Sequence, residues 1–197
     1  MEIDNNTNAK QPKRWRTILS DPPWDLDGKG NYAPKYPLLN LEAIKSMPIK
    51  ELTEENAHLW IWVTNGMLPY VFDVLDAYGF TFRNLFTWCK PRYTLGQYLR
   101  NASEYVIFAT KGKAPVKFRG QPNWGFYPLQ GHSHKPEEIY DVIERVSGRN
   151  ERVSGGDYLE LFARRKRHGW DSWGNEIESD VKIEGYPVPK YSEKAGV

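Results

Sequence analysis

The chain has 197 residues, of which 40% are hydrophobic, 26% charged and 14% aromatic; this suits one globular domain and excludes collagen-like or wholly disordered chains. A single cysteine, Cys89, excludes an intramolecular disulfide and any cluster of thiolates around zinc or iron–sulfur. With 27 basic against 25 acidic residues the net charge is only +2, so the overall balance selects no partner.

Residues 1–14 are polar and lack an apolar period, so they read as a disordered tail. They hold no apolar run for a signal peptide, and no stretch approaches the ~18 apolar residues of a membrane span; a cytoplasmic protein away from membranes is the expectation. The domain is expected to cover residues 15–177. Thr17-Ile18-Leu19-Ser20 predicts a strand, which Asp21-Pro22-Pro23-Trp24 ends because proline cannot donate to a ladder. A loop rich in Gly and Pro follows until Asn40, an N-cap for a helix over 41–45. Leu59–Val63 predicts a strand, and Leu68, Val71, Phe72 and Leu75 recur at helical spacing until Gly79 stops them. Residues 80–88 and 105–109 predict two strands with no helix between, hence an antiparallel pair. Pro136 opens a helix whose buried stripe is Ile139, Val142, Ile143 and Val146, and residues 158–163 form the last strong strand. Residues 178–197 read as a flexible C-terminal tail. The alternation predicts an α/β fold with a largely parallel sheet.

Between Arg83 and Arg119 stand eight basic residues, Lys90, Arg100 and Lys117 among them, against the single acid Glu104. Cations interleaved with Tyr93, Tyr98, Phe118 and Trp124 suit a phosphate backbone and stacked bases; a solvated, solubilising face is the alternative.

Asp21-Pro22-Pro23-Trp24 carries the chemistry. It falls at the C-terminal end of a parallel strand, where open α/β sheets bind ligands. An exocyclic amine such as adenine N6 has its lone pair delocalised into the ring and must be oriented before it can attack. Two acceptors about 3 Å from that nitrogen would do this. Asp21 supplies one; the Pro22 carbonyl, fixed by the rings of Pro22 and Pro23, supplies the other. The Asp21 carboxylate also stabilises positive charge developing on nitrogen, and Trp24 offers an extruded base a stacking face.

This turn resembles the D-P-P-W signature of the adenine-N6 methyltransferases related to the catalytic subunit of the messenger-RNA N6-adenosine methyltransferase. Further matches keep the family's order: Leu59-Trp60-Ile61-Trp62-Val63-Thr64, Trp88-Cys89-Lys90, Ser133-His134-Lys135-Pro136-Glu137-Glu138, Leu159-Glu160-Leu161-Phe162-Ala163-Arg164 and Trp173-Gly174-Asn175-Glu176. The resemblance implies a permuted Rossmann-like, S-adenosylmethionine-dependent methyltransferase sheet with helices on both faces, its catalytic strand first and its cofactor strand last. It implies that Lys135 meets the cofactor carboxylate, with a capping lysine as the alternative, and that Arg164 meets its ribose or carboxylate. Asn175 and Glu176 match the family's ribose-binding pair, although Glu176 stands where better-known members carry an amide. Tyr36 resembles a substrate-loop tyrosine, a packing aromatic being the alternative. No metal is implied, since His132 and His134 have only His58 and His168 as further imidazole donors.

The implied reaction is methylation of adenine N6 in a polynucleotide, unpaired adenine favoured. DNA is slightly favoured over RNA, because no zinc-finger or target-recognition domain accompanies a compact chain of bacterial or phage type. The alternative is a catalytically inactive nucleic-acid-binding subunit supporting an active partner. The short region before Trp15 lacks the upstream strand of longer relatives, so a homodimer or partner subunit is a further expectation, completing the cofactor site.

Overall fold

A computed structural model describes residues 13–25, 38–94, 96, 98–130, 134–149 and 157–186. A seven-stranded sheet is built around β1 (Trp15–Ser20), which pairs in parallel with β4 (Thr53–Val63) on one side and with β8 (Tyr158–Leu161) on the other. The first and last strong strands of the domain are thus neighbours at the sheet's centre, as the permuted methyltransferase sheet requires. Beyond β8 lies β9 (Trp170–Trp173); beyond β4 lie β6 (Asn101–Lys111), β5 (Thr81–Thr94) and the edge strand β7 (Trp124–Phe126). Only β6 runs antiparallel, since a direct β5–β6 connection reverses the chain whereas helical crossovers preserve its direction. A separate ribbon pairs β2 (Trp24–Asp25) with β3 (Leu39–Asn40).

Alternation along the strands divides the core. Ile18, Leu59, Ile61 and Leu159 pack against α1 (Leu41–Lys45), α2 (Ile49–Leu52) and α3 (Val71–Tyr78), while Leu19, Trp60, Trp62 and Trp88 pack against α4 (Glu138–Ser147) on the opposite face. Helices therefore cover both faces, with side chains of period two along β4 feeding each layer. Asn40 caps α1 as expected, its side chain accepting from the Ala43 N–H at 2.8 Å. Gly79, at φ 73°, ends α3 in the left-handed conformation that glycine adopts without strain.

Three expectations change. Phe72 lies on the outer side of α3 and meets Phe82 edge to face, while Val74 and Tyr78 complete the buried stripe. Helix α4 begins two residues after Pro136, which instead accepts the Ile139 N–H in the preceding turn. Residues 178–186, expected to belong to a tail, pack on the sheet: Ile183 is buried in the core and Tyr186 donates to the Ala43 carbonyl at 2.8 Å. Among the described residues no helix is long and apolar enough to cross a membrane.

Candidate active site

A cavity of about 270 Å³ opens at the C-terminal ends of β1, β4 and β8. Asp21, Pro22, Pro23, Trp24, Lys135, Arg164, Asn175 and Glu176 all line it, although they come from three distant parts of the chain. Leu38, Thr64, Met67, Glu104, Phe162 and Ala163 complete the wall.

Backbone bonds fix the Asp-Pro-Pro-Trp turn. The Asp21 N–H donates to the Leu161 carbonyl at 3.3 Å, joining the turn to β8. The Trp24 N–H donates to the Pro22 carbonyl at 2.9 Å, and the Leu39 N–H to the Pro23 carbonyl at 2.8 Å. The Pro22 oxygen is therefore engaged within the turn, and it can meet an amine only through its second lone pair. Trp24 is held at its other end as well: its indole N–H donates to the Trp62 carbonyl at 3.0 Å. An indole bound in this way is a fixed wall.

Charged groups alternate across the mouth. Lys135 Nζ donates to both Asp21 carboxylate oxygens, at 3.0 and 2.7 Å, and lies 3.6 Å from Glu104 Oε2. Glu104 accepts from Lys90 through its other oxygen. Both lysines lie over indoles, Lys135 5.2 Å from the Trp62 ring and Lys90 4.8 Å from that of Trp88. On the opposite wall Arg164 Nε donates to Glu176 Oε1 at 2.8 Å. A lysine between two carboxylates orients both more firmly than a single ion pair does, because each of its donors has a different target.

Beneath this row, on the α4 face, Glu160 is 9% exposed and accepts from the Tyr140 hydroxyl at 2.8 Å. Burial pushes the Glu160 carboxyl up to about 7, against the hydrogen bond from Tyr140, which lowers it; the nearby charge of Asp21 adds to the rise. Phe162, directly after β8, adopts φ 64°, a left-handed conformation costly for a bulky residue, and meets Trp173 edge to face at 5.2 Å. Gly174 follows β9 against this bend, where a Cβ would collide with the Ala163 carbonyl oxygen. Close backbone approach thus shapes this wall, in place of a glycine-rich loop.

The basic segment does not form one surface. Lys90 belongs to the site through Glu104, and Arg100 is exposed at the start of β6. Lys117 lies elsewhere: its N–H donates to the Val146 carbonyl at 2.7 Å, near the C-terminal end of α4, whereas Lys135 precedes that helix. Along β6 six residues, roughly 20 Å, separate Glu104 at the cavity from Thr110 near the strand's other end, and the cations after Lys111 fall on the rim away from the cavity. The substrate contact expected at Lys117 therefore lies away from the cavity. Tyr36 lies outside the described residues. Sequence reasoning left Glu104 out of the site; its signal was its standing as the sole acid in a run of cations.

Residues 15–176 match the MT-A70 family. The chain is 30% identical to the Type II methyltransferase M.MunI of Mycoplasma sp., with 87% of this chain and 81% of that protein covered. It is 28% identical to the N(6)-adenine-specific methyltransferase METTL4 of Mus musculus, over 84% of this chain and 38% of that protein. With the N(6)-adenosine-methyltransferase catalytic subunit METTL3 of Homo sapiens the identity is 23%, over 92% of this chain and 31% of that protein. The chain thus spans most of the bacterial relative and about a third of the two mammalian ones.

Proposed function

The chain belongs to the MT-A70 family of adenine-N6 methyltransferases, and on that premise we propose that it methylates adenine N6 in a polynucleotide with S-adenosylmethionine as donor. The observation that carries the reading is the Asp21 carboxylate, held on both oxygens by Lys135 at the mouth of a cavity that also contains Pro22 and Trp24.

The donor set fits the cofactor. Its amino-acid end carries an ammonium and a carboxylate, the charges that Asp21 and Lys135 complement. Glu176 and Asn175 supply acceptors and a donor for a ribose diol, with Arg164 beside them. Beside them Gly174 packs backbone to backbone against Ala163, where no Cβ would fit. The bound cofactor would supply an electrophilic methyl group on a sulfonium, its methyl–sulfur bond breaking as the nitrogen–methyl bond forms so that it leaves as the neutral thioether.

The chain's own residues prepare the amine. Asp21 accepts one N6–H, and the second lone pair of the Pro22 carbonyl accepts the other, so the nitrogen lone pair turns out of the ring plane towards the methyl carbon. As the N–C bond forms, positive charge grows on N6 and the Asp21 carboxylate stabilises it. The surplus N6 proton then passes to the Asp21 carboxylate or to water. Trp24, fixed through Trp62, stacks on the base, and closing the cavity over it excludes water.

DNA with an unpaired or mismatched adenine is the substrate we favour. The reason is the match in extent to a compact bacterial Type II methyltransferase, together with the lower cost of extruding an unpaired base. A cytoplasmic location is part of this reading. Methyl transfer from labelled cofactor to matched single- and double-stranded DNA and RNA, with product nucleosides identified, tests the reading. N6-methyladenine formed fastest in single-stranded or mismatched DNA is expected; label on another atom, or none on any polymer, overturns it.

A further inference from the structure

At the other rim of the sheet, roughly 20 Å from the cavity along β6 as measured from Glu104 to Thr110, lies a second cleft of about 540 Å³. Arg83, Lys113 and Arg119 line it, with Thr110 and the backbone of residues 112–116, and no acid contributes to its wall. The bed is pinned. The Lys113 N–H donates to Asn56 Oδ1 at 2.5 Å, and His58 Nε2 holds the Ala114 carbonyl at 2.9 Å. Arg16 reaches the Pro115 carbonyl at 3.4 Å, and Arg83 Nε donates to Thr110 Oγ1 at 2.7 Å. Gly112, at φ 62°, makes the turn that brings the loop back over the α4 face. Of the acids at this end of the sheet, Glu54 interacts with Arg16, and Glu51 and Glu55 with Lys111.

We propose that this cleft is a second phosphate-binding surface, which grips the same polynucleotide away from the target base. Three cations on a fixed bed with no carboxylate in its wall meet phosphate at small ordering cost, and each bound cation releases a condensed counterion. The rim is roughly six nucleotide steps of duplex from the cavity, so only a substrate longer than that touches both. The chain then gains an apparent affinity that depends on substrate length, because the second contact becomes intramolecular once the first is made. This inference rests on the polynucleotide substrate proposed above and adds where the flanking strand lies.

The test uses two oligodeoxynucleotides carrying the same single adenine near one end, about 4 and about 30 nucleotides long, so that the shorter is too short to reach the rim. Affinity is measured by fluorescence anisotropy across a salt series, and methylation of each is followed in parallel. The wild-type chain binds the long substrate more tightly, with a steeper salt slope. The double variant Lys113→Ala, Arg119→Ala loses that excess: its slope on the long substrate falls by about two, roughly tenfold in affinity across a fourfold rise in salt, while methylation of the short substrate is unchanged. Circular dichroism checks that the variant is folded, and wild-type slopes that do not differ with length count against the proposal without any variant. A length-dependent slope that survives the double substitution overturns the cleft alone. Absence of binding and methylation at both lengths instead overturns the functional reading on which it rests.

Discussion

The two ends of the sheet treat positive charge in opposite ways. Around the cavity Lys90, Lys135 and Arg164 each stand against a carboxylate, whereas the remote cleft lined by Arg83, Lys113 and Arg119 has no acid in its wall. Charge locked into a partly buried pair fixes geometry, because removing one member leaves the other desolvated and unpaired. Charge on an exposed wall without acids remains available to an anion from outside. A count along the chain merges the two, since Lys90 and Lys117 fall in one basic segment but belong to opposite rims.

Breaking the cavity end gives the largest effect. Asp21→Ala removes the carboxylate that orients the amine and stabilises its developing charge. It should lower kcat by about a thousandfold or more, with fold and nucleic-acid binding retained by circular dichroism and anisotropy. Near-normal turnover in a folded Asp21→Ala chain would sink the assignment of the turn. Lys135→Ala comes next. With the lysine gone, Asp21 and Glu104 lose the cation between them, and the cofactor carboxylate loses its proposed partner. The expectation is a fall of about ten- to a hundredfold in kcat/KM for cofactor, mostly in KM, with Asp21 orientation accounting for a smaller loss in kcat. Unchanged cofactor affinity by calorimetry would show that Lys135 serves only to hold the two acids.

The walls differ as well. Gly174→Ala places a methyl group against the Ala163 carbonyl, so backbone must move beside Phe162, itself already in a left-handed conformation. A loss of about 1–3 kcal/mol in stability is expected, with weakened cofactor binding, read from thermal unfolding with and without cofactor. A variant as stable as the wild type would show that this wall is loose.

Much of this was legible because burial leaves a periodic trace. β1, the apolar half of β4, α3 and β8 announce themselves by runs of Ile, Leu, Val and Trp, and the Asn40 cap and Gly79 stop by the local bonds they make. β7 and β9 were not legible. Each has only three or four residues, with Gly125 or Asp171-Ser172 inside it, and each is a strand because β5 or β8 supplies a ladder partner. Asp21, Lys135, Arg164, Asn175 and Glu176 converge on one cavity, yet their mutual pairing lies in the geometry. The engagement of the Pro22 carbonyl by Trp24 is likewise a property of the turn's closure.

Glu160 sharpens the comparison from inside the cavity end, because it is a buried acid there whose hydrogen-bond donor is a hydroxyl, Tyr140, and not an ammonium. With its carboxyl raised to about 7, the folded chain holds a proton that the unfolded chain releases near 4.5. The stability this group contributes is complete below the unfolded value and is lost as pH rises through 7. Between roughly pH 5 and 8 the wild-type chain should lose about 2 kcal/mol that Glu160→Gln does not, or about 5 °C in Tm. The amide of the variant still accepts from Tyr140 and carries no charge at any pH, so the two stability curves should converge at low pH and separate at high pH. Parallel curves would show that Glu160 stays ionised on folding, the charge of nearby Arg167 outweighing its burial.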